Sequence, residues 1–283
     1  MTEVLGLGVL TGWGAGIAAL PADARAAAGG RRVVEVARPA LDGQRFRRAT
    51  RECLLGVAAV DAMLSDAGLG REVLRGDRTA LVYVTAAAYG ASNRVFIDAD
   101  PARRGGPAAA EASSGAPGAL HFPYTAPSAV PAEVAIEYSL KGGYVILVGG
   151  AAAAVDALWQ ASVLLAAGRC ERALVVAVET FAECETLWAR GRWVARGPLV
   201  EAATCALLAG GGGDVRYAAA SAPSPLEALT ARRAGETLAC GPLIGLALAR
   251  EAGERHARLS GQWRGRRMTV TLGLSPAREP AHI

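Results

Sequence analysis

Lysine is nearly missing from this 283-residue chain: Lys141 stands alone against 29 arginines. The net charge is only +4, and no basic stripe interleaved with aromatics is present, which excludes a nucleic-acid interface. The arginine bias, with the wealth of alanine and glycine, reflects a GC-rich coding sequence. Histidine is also scarce. The three present, His121, His256 and His282, lack metal-ligand spacing, so neither a zinc site nor any other metal or cofactor is expected. The five cysteines form no CxxC pair, and their odd number argues against a disulfide framework. Cys53 and Cys205 lie inside apolar runs and are expected as small core residues. No apolar run reaches the length of a bilayer span, because Asp156 and Glu179 interrupt the best candidates. The stretch Val4–Leu20 imitates a signal peptide, but Glu3 replaces a basic start and five glycines break the run. A cytoplasmic protein without membrane contact is expected. The glycines near Gly6 miss the GxGxxG spacing, and no acidic residue follows where a dinucleotide site needs one.

What is abundant is apolar: 52% of the residues are hydrophobic, enough for a large core. Glu3–Leu10 reads as a strand. RFRRATRECLLGVAAVDAMLSDAGLG reads as an amphipathic helix, with Leu54, Val57, Val60, Ala62 and Leu64 at helical spacing and Gly68 near its stop. TALVYVT (79–85), RALVVAVET (172–180) and TCALLAGG (204–211) are near-continuous apolar strands. A short helix over Ala132–Leu140 and a long one over Val155–Ala167 flank the strand Tyr144–Val148. Residues 100–118, rich in Pro, Gly, Ala and Ser, read as a long loop. Alternating apolar strands and helices predict an α/β fold with a mostly parallel sheet covered on both faces. After Gly213 come VRYAAASA, a helix around Pro242–Glu254, the paired strands LSGQWRG and RMTVTLGL, and a frayed tail.

Several motifs in this order resemble the β-ketoacyl synthase family. GLGVLTGWG is similar to its opening strand and turn, and RFRRATRECLLGVAAVDAMLSDAGL to its first long helix. FPYTAPSAVPAEVAIEYSLKGGYVILVGG lies without a gap on the segment leading to the family's active-site cysteine. ALWQASVLLAAGRCERALVVAVETF resembles the helix and strand that follow. The match implies a thiolase-like layered fold (αβαβα) with a shortened second half. Residues 1–212 form the ketosynthase-like half, and 213–283 a truncated C-terminal half.

The family's chemistry does not carry over. Where members read roughly VxxACxS, this chain reads LVGGAAA, so Ala151 occupies the cysteine position. Alanine has nothing with which to attack a thioester. Neither His256 nor His282 sits in the family's GH-type motif, and CGPLIGLALA resembles the helix after that motif with the histidine-bearing loop deleted. Thr11, Ser92, Ser128 and Cys184 are spare nucleophiles, but none sits at an elbow beside a base. No catalytic residue is therefore expected.

What the resemblance implies instead is a chain-length factor, the inactive homologue that pairs with a catalytic ketosynthase subunit as a heterodimer in type II polyketide synthesis. It shapes the acyl tunnel there, and the shortness of this chain is most like subunits of highly reducing, polyene-forming systems. Acyl carrier protein bearing malonyl or polyketide chains is the implied further partner. Phe96 and His121 match the region lining the acyl tunnel, against the plainer reading of a core aromatic and a loop side chain. Tyr144, Val145, Ile146, Leu147 and Val148 form the dimer-edge strand, flat, apolar and unprotected by charge. Trp159, Trp188 and Trp193 are packing residues. Two alternatives stand beside this reading: a structural or regulatory pseudoenzyme scaffold without a tunnel, and a cysteine-independent thioester acyltransferase or decarboxylase.

Overall fold

The structure, a computed structural model, describes residues 2–47, 49–86, 93, 96, 122–182, 185, 197–211 and 215–274. His121, Ser92, Cys184, Trp188, Trp193, the 100–118 stretch and the tail lie outside the described residues. The first half contains β1 (Thr2–Thr11), β2 (Gly14–Ala15), α1 (Ala24–Ala28), β3 (Val33–Val34), α2 (Arg51–Ala67), β4 (Thr79–Thr85), α3 (Ala129–Glu137) and β5 (Tyr144–Val148). Then follow α4 (Gly150–Ala166), β6 (Arg172–Glu179), β7 (Leu199–Val200), β8 (Ala202–Gly210), β9 (Arg216–Ala219), α5 (Pro225–Ala234), α6 (Gly241–Glu251), β10 (His256–Trp263) and β11 (Arg266–Gly273). Among the described residues no helix is long and apolar enough to cross a membrane.

Six strands form the main sheet in the order β2-β1-β8-β6-β4-β5. Its central strands β4, β6 and β8 are buried on both faces because both faces are covered. Leu81 and Tyr83 of β4, with Leu174, Val176 and Val178 of β6, turn toward α2 and α3. Val82, Val84, Val175 and Ala177 alternate with them and turn the other way, toward α4 and α6. Period-two alternation thus builds two cores from one sheet. The sheet is mixed: β4 pairs in parallel with β5 and β6, but β8 runs against both β6 and β1. The antiparallel pairing of β8 with β6 and β1, which needs no βαβ crossover, departs from the mostly parallel sheet expected from the sequence.

Helix α2 begins where Thr50 accepts a hydrogen bond from the Cys53 amide at 3.4 Å and ends at Gly68, whose φ of 63° closes the last turn. The helix expected over 132–140 runs from Ala129 to Glu137. Helix α4 starts five residues before the expected Val155, at Gly150. A second sheet, antiparallel in the order β10-β11-β9, packs on α4, so the layers run helix, sheet, helix, sheet. Residues of α4, α6, β10, β11 and the main sheet share one core, in which Leu158, Leu243, Ile244, Leu259 and Val270 are buried. The layered α/β arrangement expected from the sequence is present, with a small second sheet.

Candidate functional site

Strand β5 leads straight into the elbow. Gly149 donates its amide to the Thr85 carbonyl at 2.9 Å, and Gly150 follows with φ of 51°, a left-handed conformation that favours glycine. Ala151, the residue expected at the family's cysteine position, comes next in the first turn of α4, half-buried. Helix N-termini stabilise anions, so the backbone still offers what a thiolate needs. The side chain does not.

The second sheet closes over this elbow. A Cβ at Gly150 would lie 2.3 Å from Cε3 of Trp263, and a Cβ at Gly261 would lie 2.3 Å from the Ala151 carbonyl oxygen. Trp263 and Gly261 thus bring the end of β10 into direct contact with the elbow backbone. A polar clamp farther along α4 holds the sheet in place. Arg266 pairs with Asp156 at 2.5 Å, and the Tyr217 hydroxyl donates to the same carboxylate at 2.7 Å. Trp159 stacks on the Tyr217 ring at 5.1 Å and 9°, which gives it the packing role expected of it.

Beside Ala151 opens a cleft of about 700 Å³, walled by α5, α6 and β10. Glu227, Glu236, Ser260 and Gln262 contribute polar groups, and no histidine or cysteine is among the lining residues described. Burial raises the Glu236 carboxyl, and the neighbouring Glu227 carboxylate pushes it the same way. No cysteine with a resolved shift is primed as a nucleophile: burial pushes the Cys53 thiol up to about 12 and raises Cys170, Cys205 and Cys240 as well. Thr11 has its hydroxyl engaged with the Gly14 carbonyl at 3.2 Å. No cluster able to hold a metal ion occurs among the described residues.

Beneath the elbow end of the sheet lies Glu179, 3% exposed, accepting from the Ala86 amide at 2.6 Å and the Ala239 amide at 3.3 Å. Burial pushes its carboxyl up to about 8, against the pull of those two amides. The folded chain therefore holds a proton that the unfolded chain releases, so stability present in acid declines as pH rises from about 4.5 to about 8. Glu179→Gln is expected to flatten that decline, which has a limiting slope of about 1.4 kcal/mol per pH unit. Denaturant midpoints across this range check it: parallel curves for the two proteins would contradict the assignment.

The structure places the remaining candidate residues as follows. Phe96 is 38% exposed and packs on Phe122, itself 62% exposed, with ring centroids 5.7 Å apart. It belongs to an exposed aromatic pair, away from the buried cores. His121, adjoining Phe122 in sequence, is outside the described residues. Strand β5 pairs with β4 along Tyr144 to Val148, and no described strand pairs with its other edge. Tyr144 is 63% and Val148 55% exposed. Sequence reasoning missed Trp263, whose contact with Gly150 joins segments far apart in the chain, and the glutamates of the cleft.

An elbow between a parallel strand and a helix sandwiched by two sheets defines a layered α/β protein of the thiolase type. The sequence profile of the β-ketoacyl synthase N-terminal domain matches residues 23–196, and the chain belongs to that family. No curated protein sequence matches it. Among solved structures it is similar to a β-ketoacyl synthase from Burkholderia phymatum, with a TM-score of 0.68, 14% identity, and coverage of 96% of this chain and 98% of that one. It is also similar to the ishigamide ketosynthase/chain length factor, with a TM-score of 0.66, 17% identity, and coverage of 96% and 99%. A ketosynthase of a type II polyketide synthase, solved with its acyl carrier protein, aligns with a TM-score of 0.70, 12% identity, and coverage of 97% and 99%.

Proposed function

We propose that this chain is a non-catalytic chain-length factor. It pairs with an active ketosynthase and shapes the acyl tunnel in type II polyketide synthesis of the highly reducing, polyene-forming kind. The observation that carries the reading is the elbow at Ala151, intact in backbone and empty of any nucleophile. A family member without the thiol cannot form the acyl-enzyme on which condensation depends. Its value then lies in the surface it contributes, and the free apolar edge of β5 is the surface that supports pairing. One solved relative is a ketosynthase/chain length factor and another is a ketosynthase in complex with acyl carrier protein. The matching arrangement here puts carrier-bound malonyl and polyketide chains on the catalytic partner.

In this reading Phe96 and His121 set how far the chain extends. An acyl chain grows until bulky side chains end the apolar groove. Phe96→Ala in the reconstituted pair is expected to shift the products to longer chains, and Phe96→Trp to shorter ones, read by mass spectrometry of carrier-bound products. Unchanged product length in both variants would leave a scaffold without a tunnel role. Release of CO2 from malonyl carrier protein by the isolated chain would instead establish an enzyme in its own right.

A further inference from the structure

Arginines from two distant stretches of sequence meet where the turn between β1 and β2 packs on α1 and α5. Trp13, in that turn, donates its indole Nε1 to the Ala234 carbonyl at the end of α5 at 2.9 Å, and the Arg31 guanidinium lies over its ring at 5.6 Å. Arg31 also donates its Nε to the Ala28 carbonyl at 3.0 Å and an Nη to the Ala27 carbonyl at 3.2 Å. Arg233, in the last turn of α5, donates to the carbonyls of Leu20 at 3.1 Å, Ile17 at 3.3 Å and Pro21 at 3.4 Å. Arg232 precedes it and is exposed. Gly235 brings this end of α5 against α1: a Cβ there would lie 3.5 Å from that of Ala24, the neighbour of exposed Arg25. Arg32 joins them through the ladder of β3, β7 and Glu236, in which its carbonyl accepts from the Leu199 amide at 2.9 Å.

Carbonyls fix the guanidinia of Arg31 and Arg233 without cancelling their charge. Among the described residues no carboxylate pairs with Arg31, Arg32, Arg232 or Arg233. The acids of the same segments are mostly occupied. Asp23 caps α1 by accepting from the Ala26 amide at 2.9 Å, Glu227 is engaged by Arg267, and Glu236 accepts from the Leu238 amide at 3.2 Å in the cleft. Glu35 is exposed beside β3. Like charges gathered this way repel one another, and an anionic partner relieves the repulsion.

We propose that Arg25, Arg31, Arg32, Arg232 and Arg233 form a docking face for an acidic protein segment, whose carboxylates meet guanidinia already held in place. A nucleic acid or a bilayer fits this face less well. Arg31 covers the Trp13 ring, and none of the exposed large apolar side chains described lies on these segments, so nothing stacks a base or enters a lipid layer. This goes beyond the chain-length reading. Trp13 stands at the β2 edge of the main sheet and β5 is the opposite edge, so pairing along β5 leaves the arginine face open to a further component.

Fluorescence anisotropy of a labelled ten-glutamate peptide, titrated with the full chain alone at low salt, tests the proposal without requiring a ketosynthase. Saturable binding that weakens as salt is added is expected. Arg32→Glu combined with Arg232→Glu is expected to weaken it by at least about 10-fold. Arg255→Glu combined with Arg258→Glu makes the same change in net charge at exposed positions on the second sheet, and is expected to stay within about twofold of the unaltered chain. Absence of saturable binding, or an equal loss in both double variants, would overturn the proposal. So would tighter binding of single-stranded DNA of equal charge, or of vesicles of phosphatidylserine and phosphatidylcholine in equal parts. The DNA and vesicle comparisons use the unaltered chain, so they stand whatever the variants do to folding.

Discussion

Glu201→Ala is expected to destabilise the fold by about 3–5 kcal/mol, the cost of breaking a buried ion pair from one side. Glu201 has no exposed surface and joins four segments. Its carboxylate takes both arms of Arg51 at 2.5 and 2.7 Å, and the amides of Val36 at 2.9 Å, Phe181 at 2.7 Å and Ala182 at 2.8 Å. Alanine would leave a guanidinium with only 12% of its side chain exposed, and three amides, without this acceptor. Burial alone would raise this carboxyl, but Arg51 and the amides outweigh it and hold it below the usual carboxylate range. Its stabilisation is therefore full above the unfolded-state pKa and fades as pH falls through the lower folded-state value. That slope is opposite in sign to the one from Glu179. Urea unfolding at neutral pH measures the loss: a change under about 1 kcal/mol would show that the network contributes little.

The second large effect concerns assembly. Tyr144→Asp combined with Val148→Asp is expected to abolish pairing with a ketosynthase, weakening it by at least about 100-fold, because two charges would be buried without partners. Both side chains are more than half exposed in the single chain, so the fold itself is expected to keep its Tm within about 1 °C. A free strand edge offers unpaired amides and carbonyls along its length, and aspartate guards such edges against pairing. Co-purification of the variant with the ketosynthase, at the yield of the unaltered chain, would show that the partner docks elsewhere.

Much of the fold was legible because its signals are local. TALVYVT is apolar at every turn of the strand, as only a doubly covered strand is, and Thr50 and Gly68 bracket α2 as cap residues do. The turn from β5 into α4 was legible too, since the paired glycines of LVGGAAA follow an apolar strand. Helix α5 escaped notice although Ser224, Pro225 and Glu227 spell a helix start, with Ser224 capping the Glu227 amide at 3.1 Å. Gly150, whose φ of 51° turns β5 into α4, is itself the first residue of that helix.

Long-range features left no trace in the residues around them. Arg51 and Glu201 are 150 positions apart, and nothing near either names the other. Trp263 read as one aromatic in a hairpin until folding set it over Gly150.

The native mass of the chain co-expressed with a ketosynthase encoded beside it tests the account most directly. A one-to-one heterodimer, lost on charging the β5 edge, is the result the account predicts. A stable monomer or self-dimer that leaves the ketosynthase unbound would contradict it.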